Sequence, residues 1–214
     1  MTYLECQIPE DKAYIICIGD LHFSDKAFKN KSYKKLLGYR DWVKENKNAR
    51  VFLGGDLFNC ASRGSKTSPF EQRMNINEEL NQIIEILKPI KNQVIAAIEG
   101  NHEQRVKDYF DLSPMEVLCG NLGIPYMGIS GVINFKVGKR RLTENNKNHW
   151  RENYMIYFHH STGGNGTIGG GLNRVEKLGN IVEGVDCYCA FHNHKLSVSR
   201  SIIFRPSQKS KKME

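Results

Sequence analysis

Apolar positions occur along this chain in two kinds of run, and their alternation predicts an architecture. Short continuous runs at Ala13 to Ile18, Val51 to Leu53 and Val94 to Ile98 predict buried strands. Residues 31–46 set Tyr33, Leu36, Leu37, Tyr39, Trp42 and Val43 among lysines, as an amphipathic helix does. Ile76, Leu80, Ile83, Ile84, Leu87 and Ile90 recur at helical spacing and predict a second helix; residues 59–75, polar and interrupted by Gly64 and Pro69, predict a loop. Strand–helix–strand–helix–strand in that order favours a parallel sheet whose strand ends gather at one edge. Beyond it, residues 113–121 predict a short helix with Ser113 as its cap and Pro114 in its first turn. Runs at 131–137, 153–159, 186–191 and 196–204 predict further strands. Glycines at 163, 164, 166, 169, 170 and 171 predict a flexible loop, and residues 208–214 a disordered basic tail after a single domain of residues 1–207.

Composition narrows the class. The chain has 214 residues, 40% of them hydrophobic and 25% charged, and a mean hydropathy of −0.50, all ordinary for a soluble globular protein. No apolar run is long enough for a membrane span, and Met1 to Glu5 lacks the features of a signal peptide, so a cytoplasmic location is expected. In that setting the six cysteines read as reduced, buried small hydrophobes. Cys187-Tyr188-Cys189 has no second pair to complete a zinc site. The net charge of +8 is unevenly distributed. Residues 26–50 hold nine basic and two acidic side chains, 136–151 six and one, 200–212 five and none, which leaves the remainder acidic. A basic rim around an acidic interior suits a polyanionic partner such as DNA or RNA, although lysine-rich helix faces are often only solvated surface.

Candidate chemistry sits where the predicted strands end. Six of the seven histidines fall in short polar clusters: Asp20-Leu21-His22, Gly100-Asn101-His102-Glu103, His159-His160 and His192-Asn193-His194; Gly55-Asp56 adds a carboxylate after the second strand. Only His149 stands apart. Residues i and i+2 on an extended segment point the same way, so Asp20 with His22 can reach one ion, and His192 with His194 could each reach one. Two glycines before Asp56 allow close backbone approach. Each cluster alone is compatible with an ordinary turn; their joint occurrence at successive strand ends predicts a metal site.

Taken in order, Asp20-x-His22, Gly55-Asp56, Gly100-Asn101-His102-Glu103, His159 and His192-x-His194 resemble the calcineurin-like metallophosphoesterase superfamily over roughly residues 13–200. The resemblance implies an α/β fold, a four-layer αββα sandwich, with two divalent ions where the sheet edges converge. Asp20, His22, Asp56 and His194 would hold one; Asp56, Asn101, His159 and His192 the other, with Asp56 bridging. His102 would protonate the leaving oxygen or stabilise the transition state, and Glu103 would orient it as its carboxylate partner. Mixed Asp, Asn and His ligation suits Mn²⁺, with Fe or Zn²⁺ as alternatives. Three positions depart from the family pattern. Phe191 stands where Gly is usual, the fourth motif offers His160 beside His159 as a ligand or substrate contact, and only twenty residues follow His194.

The implied reaction is phosphate-ester hydrolysis by a metal-activated hydroxide. Gly55-Asp56-Leu57-Phe58 and Asp20-Leu21-His22 resemble the double-strand-break repair nuclease branch, without its capping domain, and with the basic segments they favour a phosphodiesterase on nucleic acid. A Ser/Thr protein phosphatase is the alternative, since Gly100-Asn101-His102-Glu103 has that branch's form. That branch normally carries Asp-Arg-Gly shortly after the second motif and Arg before the third, where this chain has Asn59, Cys60 and Glu99. A small-molecule phosphoesterase and a catalytically inactive scaffold complete the alternatives; the scaffold would be expected to have lost ligands that this chain retains.

Overall fold

The computed structural model describes residues 1–61, 68–139, 141–142, 148–149, 152–161 and 167–200. Its centre is two facing sheets. The three-stranded sheet is formed by β2 (Tyr14–Ile18), β3 (Ala49–Leu53) and β4 (Val94–Ala97), all parallel; the four-stranded sheet, in the order β1-β5-β8-β9, is formed by β1 (Thr2–Ile8), β5 (Ser130–Val137), β8 (Glu152–His160) and β9 (Cys187–Phe191). A small antiparallel pair, β6 (Arg141–Leu142) and β7 (Asn148–His149), stands apart from both and contains the backbone of His149.

Helices α1 (Asn30–Glu45), α2 (Ile76–Leu87) and α4 (Pro114–Leu122) cover the three-stranded sheet, while α3 (Asn101–Phe110) begins at its edge. The core on this side joins Leu36 and Val43, Ile83, Ile86 and Leu87, and Met115, Leu118 and Leu122 to Ile18, Val51, Leu53 and Ala97. Side chains alternate along a strand, so Phe52 and Ala96 point the other way and meet Ile133, Phe135, Phe158 and Phe191 between the sheets. On the far face, α5 (Ile168–Leu178) places Leu178 against Val132 and Tyr157. The order is helix, sheet, sheet, helix, which is the expected αββα sandwich, with α5 the one helix of the fourth layer among the described residues.

Most predicted elements lie within a few residues of the observed ones. The second helix stops at Leu87 and continues as a 3₁₀ segment through Pro89 to Gln93, since Pro89 cannot donate to a helical ladder. Three elements escape the hydrophobic reading. β1 alternates Leu4, Cys6 and Ile8 inward with Tyr3, Glu5 and Gln7 exposed, a period-two pattern legible in Thr2–Ile8. α3 carries Val106 against the core but exposes Tyr109 and Phe110, so it lacks an apolar stripe. α5 begins within the glycine-rich stretch expected to be a flexible loop: Thr167 caps it by accepting from Gly170 N at 3.2 Å, and packing of its far end offsets the helix-weakening glycines. Residues 196–200 form no strand, against expectation; the rest of that run, the tail and residues 62–67 of the predicted loop lie outside the described residues. The cysteines are all free, but only Cys60 and Cys119 are buried; Cys17 and Cys187 are exposed, because both stand on strands at sheet edges.

Candidate metal centre

Strand register brings the clusters together. Ile18 pairs with Leu53 and Leu53 with Ala97, so the segments leading to Asp20, Asp56 and Asn101 leave the three-stranded sheet along one edge. The first two stay joined past the strands: Asp20 N donates to Gly55 O at 2.9 Å, His22 N to Asp56 O at 3.0 Å and Phe23 N to Leu57 O at 3.0 Å. In the other sheet His160 pairs with Phe191, and β9 then delivers His192 and His194. His192 N closes the gap between the sheets, donating to both Asp20 carboxylate oxygens at 3.0 and 3.1 Å.

Backbone strain marks the same residues. Non-glycine residues rarely adopt a positive φ, yet Asp20 (51°), His22 (44°), Asp56 (49°), His192 (85°) and His194 (49°) all do so. Such conformations cost of order 1–3 kcal/mol each and persist where the surroundings fix them. Part of that support is steric. A Cβ on Gly100 would fall on the Asp56 carboxylate, and one on Gly54 would enter the Phe191 ring. Phe191, in place of the usual glycine, is thus received by a glycine on the opposing sheet and stacks in line with Phe52 at 6.2 Å, while the chain turns one residue later, at His192.

Asp56 is the hub. Its Oδ1 accepts from His102 N, at the start of α3, at 2.9 Å; its Oδ2 lies 3.3 Å from His160 Nε2, 3.9 Å from His192 Nδ1 and 4.0 Å from His22 Nε2. Burial opposes its ionisation, but the hydrogen bond from His160, the nearby His192 ring and the fields of His160 and His102 outweigh burial and hold the carboxyl well below the usual range. The same contacts raise the pKa of His160 against the effect of burial. On the other side His22 Nε2 and His194 Nε2 are 3.2 Å apart, and Asp20 Oδ1 is 3.7 Å from His194 Nε2. Burial and then the neighbouring His102 lower the His22 pKa to about 4, so its ring is neutral and offers a lone pair at pH 7. Burial raises the Asp20 pKa.

Two predicted roles are corrected by the geometry. His159 does not join the cluster. It alternates with His160 along β8, faces outward beside Tyr157 at a ring distance of 6.0 Å, and leaves His160 on the inward face with Phe158. Sequence alignment of adjacent histidines could not choose between the faces; the apolar alternation of Ile156 and Phe158 into the core could have done so. Glu103 does not contact the His102 ring. Fully buried, it accepts from the backbone N–H groups of Asp56 (3.0 Å), Phe58 (3.1 Å) and Gly100 (2.8 Å), while His102 Nδ1 meets the Asn59 carbonyl at 2.6 Å. Burial and the nearby Asp56 raise the Glu103 pKa to about 7. A second carboxylate missed by sequence reasoning acts similarly: Glu79 on α2 accepts from Ser24 N and Asn59 N, each at 2.9 Å. It was hidden in the amphipathic pattern of α2 as one more polar position.

The donor set fits divalent ions. Asp20, His22 and His194 form one group whose candidate ligand atoms lie within 4.8 Å of one another; Asp56, His160 and His192 form a second, and His22, Asp56 and His102 a third that links them. Asn101 adds a diagnostic detail. With its amide nitrogen turned inward it donates to Asp56 Oδ2 (3.1 Å) and His192 Nδ1 (2.7 Å), while its oxygen accepts from the Arg105 guanidinium (3.2 Å). With its oxygen inward, three acceptors converge, an arrangement that a shared cation reconciles. His160 Nδ1 meets Gly54 O at 2.7 Å, which leaves Nε2 facing the cluster, as in histidine ligation supported by a carbonyl.

From this centre a cleft of about 910 Å³ runs along β2 to α1, lined by Asp20, His22, His102 and His194 at one end and by Ser32, Lys35 and Tyr39 at the other. No described helix is long and apolar enough to cross a membrane. A sequence model of the calcineurin-like phosphoesterase family matches residues 13–196. No curated protein matches the chain.

Proposed function

Because the chain belongs to the calcineurin-like phosphoesterase family, whose members are metal-dependent phosphoester hydrolases, we propose that it is a phosphodiesterase acting on nucleic acid. The observation that carries the substrate class is the cleft. It leads from the acidic ligand cluster to α1, where Lys31, Lys34, Lys35, Arg40 and Lys44 outnumber Asp41 and Glu45, and Lys35 lies in its wall. A polyanion laid along that wall meets positive charge while its scissile phosphate reaches the ligands.

In this reading Asp20, His22, Asp56 and His194 would hold one divalent ion and Asp56, Asn101, His160 and His192 the other. The N/O donor set favours Mn²⁺, then Fe or Zn²⁺, over Mg²⁺ or Ca²⁺. The ions supply water activation and charge neutralisation at the phosphate. The protein contributes the rest. Asp56 would serve both ions, with its Oδ1 fixed on the start of α3 and its Oδ2 facing His160 and His192. His102 manages the leaving-group proton at Nε2, since its hydrogen bond to the Asn59 carbonyl places a proton on Nδ1. Glu103 positions rather than reacts, holding the loops that carry Asp56 and His102.

The test is turnover with Mn²⁺ on bis-p-nitrophenyl phosphate, p-nitrophenyl phosphate, single- and double-stranded DNA and a phosphopeptide. The diesters and DNA should be preferred, with DNA binding falling steeply as salt rises. Preference for the phosphopeptide, or a flat salt response, defeats the nucleic-acid assignment. His102→Ala should lower diester turnover roughly 10²–10⁴-fold with metal content intact; loss of metal would make His102 a ligand.

A further inference from the structure

Arg105 stands one helical turn beyond Asn101 on α3, half-buried, close enough for its charge to be felt by the His102 ring. Among the described residues it forms no salt bridge with a carboxylate, and its Nη2 lies 3.2 Å from the Asn101 amide, whose oxygen would accept from it in only one of the amide's two orientations. That bond needs the orientation in which the amide nitrogen points at Asp56 and His192. When Asn101 turns its oxygen inward to ligate a cation, its NH₂ is presented to the guanidinium. Two donors cannot bond to each other, so in that orientation the arginine has no partner in Asn101.

An unpaired guanidinium beside a phosphoester centre has a natural acceptor. We propose that Arg105 contacts the phosphoryl oxygens of the substrate. The inference rests on the proposed function through the ligand role of Asn101. A planar fork of N–H donors matches two phosphoryl oxygens, and the position beside His102 puts it where the phosphate must lie for that residue to reach the leaving oxygen.

The experiment uses Arg105→Met, which removes the charge at similar length, Arg105→Lys, which keeps the charge without the fork, and Asn101→Ala. Mn²⁺ affinity is measured by calorimetry, and inorganic phosphate affinity by titration of the Mn²⁺-saturated protein. Arg105→Met should weaken phosphate roughly 10–100-fold, the loss expected for a hydrogen bond to a charged group. Arg105→Lys should fall between it and the parent protein. Mn²⁺ affinity should be within twofold of the parent in Arg105→Met, because Arg105 is not among the ligands. Phosphate affinity within twofold of the parent in Arg105→Met overturns the proposal. So does weaker Mn²⁺ binding with phosphate unaffected at saturation, which would make Arg105 a structural support for Asn101. If Asn101→Ala leaves Mn²⁺ affinity unchanged, the ligand assignment itself fails and the inference with it. A weakened Asn101→Ala beside an unaltered Arg105→Met overturns this inference alone.

Discussion

The two sheets deliver their functional residues by different means. The three-stranded sheet presents Asp20, His22, Asp56 and Asn101 on loops hydrogen-bonded to one another and tied from beneath by two buried carboxylates, Glu79 and Glu103, which together accept five backbone N–H bonds. The four-stranded sheet presents His160, His192 and His194 with less support. His160 is fixed by Gly54 O and Asp56, but His192 is held by Asp20 across the sheets, and the His194 side chain is 54% exposed with residues 195–200 free of regular structure beyond it. One half is organised by its own backbone contacts. The other is organised largely by reaching the first, so the carboxylates of Asp56 and Asp20 join the sheets and the bound ions would complete the joint.

Removing the central carboxylate is the most damaging way to break that arrangement. Asp56→Asn should bind fewer than two ions and lose diester turnover by roughly three orders of magnitude, as both proposed sites share this residue. Metal analysis beside bis-p-nitrophenyl phosphate kinetics checks it, and unchanged stoichiometry would show that Asp56 does not bridge.

A smaller and more discriminating test lies in the adjacent histidines of β8. His160→Ala should weaken binding of one ion at least 10–100-fold, since even losing a supporting partner of a ligand has that effect. His159→Ala should leave metal binding and turnover within about twofold of the parent. The reverse result would place the outward-facing ring in the centre and contradict the strand alternation.

These two residues also define what the sequence can convey. The αββα architecture is legible because β2, β3 and β4 are continuous apolar runs and the covering helices α1, α2 and α4 show a helical period. Asp20, His22, Asp56, Asn101, His102, His192 and His194 are legible as a set because strand ends collect them, and the structure brings all seven together. Spacing alone does not convey which of two consecutive histidines faces inward. Nor does it convey that Glu103 bonds backbone rather than His102, or that five site residues sit at positive φ. Those depend on the direction of side chains and on contacts between residues mostly far apart in sequence, where local pattern carries no information. α3 was hidden for a related reason: its stability comes from its placement against α4 and the Glu103 anchor, not from an apolar stripe of its own.

The finest test asks whether the first half is held by charge or by hydrogen-bond geometry, and Glu79 answers it. Burial raises its pKa from 4.5 to about 7, although the Asn59 and Ser24 N–H groups favour the ionised form. Between those values the folded protein keeps a proton that the unfolded chain has released. Stability should therefore fall as pH rises from about 4.5 to about 7 and level off above it, a change of up to a few kcal/mol. Urea unfolding with a chelator present, at several pH values, measures that slope. Glu79→Gln should remove this contribution to the slope while its amide oxygen still accepts from both N–H groups; its nitrogen takes the place of Oε2, which has no partner. If the Gln protein at pH 8 also retains parental Mn²⁺ affinity, geometry holds these loops and ionisation of the carboxylate opposes folding. If it loses Mn²⁺ affinity with the slope unchanged, the charge itself organises the loops, and the contrast between the two sheets becomes one of electrostatics rather than of backbone support.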